Sequence, residues 1–427
     1  MPLRYVHPRD EIVMIMRRIY NSAMTTTSGG NLSIREDDGS FWITPSGTDK
    51  GMLTRNEIVR VLPDGSVEGT HRPSIEYPFH AAIYRARPDV RAVAHAHPPA
   101  LVSFSITRTV PDTNILPKAH DICGTVGYAP YAMPGSAALG NGIADEFKKG
   151  HNVVLMENHG IVAAGAALPE AFSRMETLDF CARLHILARS IGTPHILSKD
   201  EVVLPHEKLN PSYAPLDRGS VPSNELELRR TLISLIHRSC DRGLANSTEG
   251  TFSARVGNDF IISPFGIDRR SLLPDDLVFI TGGRAERGKE PSKSSEFHGR
   301  VYEMHPEVGA VFIAHPPTVL AFSVSGLPFD TRIIPESYVM LHDIPTLSYG
   351  SHITDRDSVA SKLSLATPAV IIANDCIIVA GKSPLEAFDK LEVAEFSARA
   401  VINAKSIGKL HEINDDSIKE IRNHFNI

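Results

Sequence analysis

Residues 92–105 read AVAHAHPPALVSFS, and residues 310–323 read AVFIAHPPTVLAFS. The two stretches lie 218 positions apart (310 − 92) and share one frame: an apolar run closed by Pro-Pro. Proline cannot extend a central ladder, so each reads as a strand that ends at the prolines. The match spreads outward from there. PFHAAIYRARP (78–88) pairs with EFHGRVYEMHP (296–306), FWITPSGTDKGML (41–53) with FIISPFGIDRRSL (260–272), and SGGNLSIR (28–35) with TEGTFSAR (248–255). Downstream, IVAAGAALPEAFSRMETLDFCARL pairs with IIVAGKSPLEAFDKLEVAEFSARA. The offset drifts from 220 (Gly30 to Gly250) to 216 (Gly165 to Gly381), as small loop changes between two copies of one fold would produce.

The chain is therefore a tandem duplication of a unit of about 190 residues, a domain-sized length. The expected division is a first domain over 1–195, a proline-rich linker over 196–222 and a second domain over 223–427. Helices are expected to open the copies at 8–20 and 224–240, with Asp10 and Asn224 as caps. Short apolar strands such as NVVLM (152–156) and AVIIA (369–373) alternate with helices such as 169–191. That alternation predicts an α/β fold with a central sheet covered by helices. The expected form is a three-layer α/β/α sandwich with a mixed, mainly antiparallel sheet, built twice in tandem.

Composition narrows the partners. The 427 residues carry a net charge of −6, with 42% apolar and 22% charged residues, an ordinary balance for a globular protein. Net acidity argues against nucleic acid or an anionic membrane as the main partner. Cys123, Cys181, Cys240 and Cys376 are widely spaced without a CxxC pair, so they read as reduced packing residues rather than a disulfide or zinc-thiolate framework. The N-terminal stretch reads as an amphipathic helix rather than a signal peptide, and no segment approaches the roughly 18 apolar residues of a bilayer span. A cytoplasmic location is the expectation.

Chemistry concentrates in the first copy. On a strand, His95 and His97 share a face. His159 follows in a turn, Glu157-Asn158-His159-Gly160. Three imidazoles would leave a divalent ion one open position, as catalytic zinc requires. A histidine beside an apolar strand is more often simply packed, and the duplication weighs the two readings. In the second copy His95 becomes Ile313, His97 remains as His315, and His159 becomes Asp375, while the apolar and proline frame persists. Loss as a set fits a metal site that works in the first copy and is degenerate in the second. Glu76 is a candidate general acid/base beside such a metal, and Ser294 stands at its position in the second copy. His80 and His298 occur in both copies and read as structural. Two loops, 25–33 and 44–51, expose small residues and hydroxyls of the kind that cradle an anion. Asn31 and Ser46 there become Thr251 and Phe265.

Taken together, GGNLS, TPSG, PS-x-E four residues before a histidine, HAHPP and NHG make the first copy resemble the class II aldolase/adducin family, which includes fuculose-phosphate aldolase and ribulose-phosphate 4-epimerase. The resemblance covers nearly all of 8–195 and, more weakly, 224–410. It implies zinc, with cobalt or manganese as alternatives, on His95, His97 and His159, and Glu76 as acid/base. It implies phosphate contacts from Ser28, Asn31, Ser46, Gly47 and Ser74. Ile75 replaces a second serine usual in the aldolases, which removes one phosphate donor. The aldolases take a tyrosine proton donor from a neighbouring subunit and the epimerases an aspartate in roughly that place; here LPKAHDICG offers His120 and Asp121, and Asp121 is the second catalytic candidate. The implied activity is that of a lyase making or breaking a C–C bond in a small, sugar-derived, phosphorylated keto compound. Epimerisation, decarboxylation and dehydration stay open, as does a non-catalytic adducin-like scaffold. The family's fourfold rings suggest that two tandem chains form a pseudo-tetrameric homodimer.

Overall fold

The computed structural model describes residues 6–208 and 211–427. Two compact units emerge, Met1–Thr113 with Lys118–Arg183, and Asn114–Pro117 with Leu184–Ile427. The first holds eight strands: β1 (Asn31–Arg35), β2 (Phe41–Ile43), β3 (Val59–Val61), β4 (Val67–Glu68), β5 (Ala92–Ala96), β6 (Gly127–Ala129), β7 (Val153–Met156) and β8 (Gly160–Gly165). They lie in the order β4-β3-β2-β1-β5-β8-β7-β6. All neighbours are antiparallel except the parallel β6–β7 pair.

In the second unit the strands are β9 (Ala214–Leu216), β10 (Thr251–Val256), β11 (Asp259–Ile262), β12 (Val278–Thr281), β13 (Arg284–Glu286), β14 (Ala310–Ala314), β15 (Thr346–Leu347), β16 (Ala369–Ile372) and β17 (Cys376–Gly381). Their order, β15-β16-β17-β14-β10-β11-β12-β13-β9, is the first sheet read from its other edge, with β9 added. The duplication is thus one topology built twice. β9 falls in the stretch expected as a linker; it pairs in parallel with β13 and gives that stretch a place on the second sheet.

Pleating sorts side chains to two faces. Ala92, Ala94 and Ala96 of β5 meet Ile12, Ile15, Met16 and Ile19 of the helix Pro8–Asn21 and Phe172, Met175 and Leu178 of the helix Leu168–Ile191. Val93 faces the other way, toward Phe79 and Ile83 of the helix Tyr77–Ala86 and Leu139, Ile143 and Phe147 of the helix Ala137–Lys148. Helices on both faces of a mixed, mainly antiparallel sheet make the three-layer α/β/α sandwich. The caps differ from expectation. His7, not Asp10, begins the first helix, its Nδ1 accepting from the Arg9 N–H at 3.1 Å, because Pro8 lacks an N–H and suits the first helical position. The helix Ser223–Asp241 starts after Pro222, so Asn224 lies inside it.

His80 and His298 are both fully buried at matching positions. His80 faces Ser33 and Asn31, with His95 and Glu76 the nearby titratable groups; His298 faces Ser253, with His352 nearby. Burial first pushes each ring down from 6.5 to about 3. The unfolded chain then binds more protons than the native one between those values, so stability is full above pH 6.5 and falls as pH drops through that window. Each ring contributes on the order of 1 kcal/mol per pH unit. In urea titrations from pH 7 to pH 5, His298→Asn should therefore show a shallower loss of stability than the parent; an unchanged slope would refute this account.

Candidate metal centre

The site begins with a register. In the antiparallel β1–β5 pair Asn31 lies opposite His95 and Ser33 opposite Val93, so Asn31, Ser33 and His95 share the face covered by the helix Tyr77–Ala86. Glu76 is the residue that starts that helix, with φ −95° and ψ 3°, yet its carboxylate makes no capping bond to the helix. It is 7% exposed and turns into the sheet instead.

There the carboxylate meets three groups. Its Oε2 accepts from the Asn31 amide at 2.8 Å and lies 3.2 Å from His95 Nε2, while its Oε1 lies 3.3 Å from His159 Nε2. His95 is fully buried, and its Nδ1–H donates to the Ile161 carbonyl at 2.8 Å, which aims Nε2 into the cluster. His97 Nε2 stands 3.0 Å from His95 Nε2. One nitrogen from each of His95, His97 and His159 falls within 4.8 Å of the others. His159 is held at the β7–β8 turn, where Asn158 takes a left-handed φ of 54°.

Charge follows from burial. Burial alone raises the Glu76 carboxyl, but the facing His95 and His159 rings and the Asn31 amide outweigh it and hold the group well below the usual carboxylate range. Burial, with His95 adding to it, pushes His97 down to about 3 and His159 to about 4, against the pull of Glu76. Both rings are neutral at neutral pH and keep their nitrogen lone pairs. Neutral imidazole nitrogens converging beside an ionised carboxylate are a donor set that fits a divalent cation such as zinc.

A hydrogen-bond chain fixes Asn31 from behind. Since its amide N–H₂ serves Glu76, its Oδ1 must accept, so His80 Nε2–H is the donor. His80 Nδ1 then accepts from the Ser33 hydroxyl at 2.7 Å, and Ser33 in turn accepts from the Tyr84 hydroxyl at 2.6 Å.

The two loops expected to hold phosphate are joined. Pro45 and Pro73 form an isolated antiparallel bridge, which sets Ser46 and Gly47 beside the segment carrying Ser74. The Lys50 N–H donates to the Thr27 carbonyl at 2.9 Å and ties in the loop of Ser28. Ser28 is exposed, Ser46 half-buried and Ser74 buried, its hydroxyl accepting from the Glu76 N–H at 3.3 Å. Gly47 has φ +70° with open space where a side chain would stand. Beneath the loop, Lys50 is 3% exposed and donates from Nζ to the Pro45 carbonyl at 2.7 Å. Asp121 is exposed on the helix Pro117–Cys123 and is not among the groups that converge on Glu76.

A family profile described as Class II Aldolase and Adducin N-terminal domain matches residues 10–186 and 230–402. The chain belongs to the class II aldolase and adducin family, in two copies. It is 33% identical over 197 residues to the 5-deoxy-D-ribulose 1-phosphate aldolase of Bacillus thuringiensis serovar kurstaki, covering 45% of this chain and 91% of that one. The L-fuculose phosphate aldolase of Methanocaldococcus jannaschii is 31% identical over 181 residues, 42% of this chain and 96% of the relative. The 3-oxo-tetronate 4-phosphate decarboxylase of Escherichia coli is 32% identical over 180 residues, 41% and 84% respectively.

The second class II aldolase copy keeps the supporting chain and loses what it supports. Ser253 contacts His298 and Tyr302, each at 2.7 Å, as Ser33 does His80 and Tyr84. With Thr251 at the asparagine position, the Thr251 hydroxyl contacts Ser292 instead and His298 Nε2 has no hydrogen-bond partner among the described residues. Ser294 starts its helix with φ −84° and ψ 5°, nearly the backbone of Glu76, but brings no carboxylate. Phe265, at the place of Ser46, is 40% exposed with Lys293 Nζ 4.6 Å from its ring centroid.

Reading the sequence misses Ser33, Tyr84 and Lys50, and takes Gly160 only as a tight-turn glycine. For the first two the signal is their repetition as Ser253 and Tyr302, and for Lys50 it is a buried cation in both copies, Arg269 in the second. Gly160 is required by contact. A Cβ there would stand 2.5 Å from the Ala96 carbonyl oxygen and 2.7 Å from His97 Cδ2. Gly160→Ala should therefore shift β8 away from the Ala96 carbonyl and turn the His97 ring, weakening zinc binding at least about tenfold, read on folded protein by competition with a chromophoric chelator. Parental affinity would count against His97 as a ligand.

Proposed function

We propose that the chain is a divalent-metal-dependent lyase of the class II aldolase type, with zinc as the metal, working from the first copy (1–195) on a small phosphorylated keto compound derived from a sugar. The observation that carries this reading is the convergence of His95, His97 and His159 on one another beside the Glu76 carboxylate. His95, His97 and His159 would hold the ion; when bound, it supplies Lewis-acid polarisation of a substrate oxygen.

The remaining work falls to the chain's own groups. Cleavage of a C–C bond next to a carbonyl requires a base to take a proton from the departing hydroxyl and an acid to return one to the carbon left behind. Glu76 is ionised, buried and fixed by Asn31, so it is ready to accept and hand on a proton at that spot. Asp121 is proposed as the second acid/base group, supplied to the site of a neighbouring copy in a homo-oligomer. Ser28, Ser46, Gly47 and Ser74 form the proposed phosphate cradle, and Lys50 beneath it favours an anion. Asn31 uses one amide hydrogen on Glu76 and would offer its second to the phosphate. Two of the relatives are named aldolases and one a decarboxylase, at nearly equal identity. Decarboxylation of a phosphorylated 3-oxo acid is therefore the second reading, and it uses the same site. Ile75, 67% exposed between Ser74 and Glu76, stands where a hydroxyl would otherwise help grip phosphate.

Protein purified without chelator should contain a divalent ion bound by the first copy, and His95→Ala with His97→Ala should remove it. A first copy that neither retains metal nor regains it on adding zinc would overturn the lyase reading. Glu76→Gln should lower turnover at least about a hundredfold with metal retained. Across a panel of ketose 1-phosphates and 3-oxo acid phosphates, dihydroxyacetone phosphate release marks the aldolase and carbon dioxide release the decarboxylase. Mixing inactive Glu76→Gln with inactive Asp121→Asn subunits should restore part of the activity if Asp121 acts across subunits; no recovery after subunit exchange would place it elsewhere.

A further inference from the structure

The second copy does not end up without metal-binding side chains. Asp375 stands where His159 stands in the first copy, and Cys376 where Gly160 stands, at the start of β17. His352, from the short helix Ser351–Thr354, is brought to the same place by a different element. One ligand atom from each of His352, Asp375 and Cys376 lies within 4.8 Å of the others. His352 Nε2 is 3.5 Å from Asp375 Oδ2, and His315 Nε2 is 4.0 Å from Asp375 Oδ1.

His352 is poorly served by the groups around it. The His352 side chain is 9% exposed, and its buried Nδ1 has no hydrogen-bond partner among the described residues. Its Nε2 faces the carboxylate at a distance longer than a good hydrogen bond. Leaving a buried ring nitrogen unsatisfied is costly. Cys376 is fully buried against the same carboxylate. Glu249, 2% exposed and replacing Gly29, adds further negative charge. A thiol and two acidic side chains thus share one buried space.

We infer that His352, Asp375 and Cys376 form a second metal site, for a divalent transition-metal ion of the zinc class, with His315 placed to close it as a fourth ligand. An imidazole, a carboxylate and a thiolate together select a borderline-soft ion over magnesium or calcium. Binding releases the thiol proton to solvent, and the ion's two positive charges balance the thiolate and Asp375. Once His315 swings in as the fourth ligand no position stays open, so the site is structural: it locks the β16–β17 turn to the helix Ser351–Thr354. This is a different ligand set from the first copy's, and it does not depend on what the first copy catalyses.

The test exploits sulfur, because none of His95, His97, His159 and Glu76 is a thiol. Full-length protein loaded with cobalt(II) should show a thiolate-to-cobalt charge-transfer band in the near ultraviolet, at one thiolate-bound cobalt per chain. The band should persist in the His95→Ala, His97→Ala double variant, which silences the first site, and vanish in Cys376→Ser. His352→Asn keeps the thiol and should weaken cobalt and zinc binding at this site at least tenfold; it decides the matter should Cys376→Ser fail to fold. Cobalt-saturated parent protein without a thiolate band, or a band that survives Cys376→Ser, would overturn the inference. Failure of the first copy to bind metal would leave the band untouched, so the two readings fail separately.

Discussion

The register of β1 against β5 is the constraint on which the first copy's chemistry depends. It puts Asn31 opposite His95 and Ser33 opposite Val93, on the face closed by the helix that Glu76 begins. A slip of one residue would send Asn31 and Ser33 into the alanine-lined core on the other face. Taking a carboxylate out of water is expensive, and Glu76 is tolerated at 7% exposure because an amide and two imidazoles are already in place to receive it. The amide is in turn oriented by His80, and His80 by Ser33 and Tyr84. The Glu76 carboxylate therefore rests on six side chains: Asn31, His95 and His159 meet it, and His80, Ser33 and Tyr84 stand in line behind Asn31.

That chain explains why the two copies share a frame without sharing a site. Ser253, His298 and Tyr302 repeat the inner part of the chain because it pins the helix Ser295–Met304 to the sheet, whatever lies at its outer end. At the outer end the second copy has Thr251 and Ser294, so nothing remains to orient and nothing to be oriented. Architecture and chemistry meet at one atom, the Nε2 of the shared histidine. In the first copy it donates to Asn31; in the second it stops there.

Much of this was legible in the residues alone. The repeat announced two copies of one family fold, and the alternation of apolar runs with helices predicted its layers. The comparison of His95, His97 and His159 with Ile313, His315 and Asp375 singled out three side chains that the fold brings together. The helix caps were misplaced because the local rule favours Asp and Asn, whereas His7 with Pro8, and Pro222, define the actual starts. Lys50 was overlooked because a lysine beside Asp49 and Gly51 reads as a solvated turn, and only the packing of the loop shows its ammonium folded under Pro45. Cys376 read as packing for a similar reason. Its neighbour His352 is 24 positions away on another element (376 − 352), so no spacing rule joins them.

Two glycines show how the polar cluster moved. In the first copy the His97 ring is flanked on both sides by backbone without a side chain. A Cβ on Gly29 would stand 2.8 Å from its Nδ1, and one on Gly160 would stand 2.7 Å from its Cδ2. The second copy fills both positions, with Glu249 and Cys376. A ring set as His97 is would collide with both, so His315 cannot simply inherit that place, and restoring histidines at 313 and 375 would not rebuild the first site. The same two replacements bring a carboxylate and a thiol toward the space they close. The change that removes one donor set thus supplies part of another, and the sheet carries either arrangement because neither alters the register of its strands.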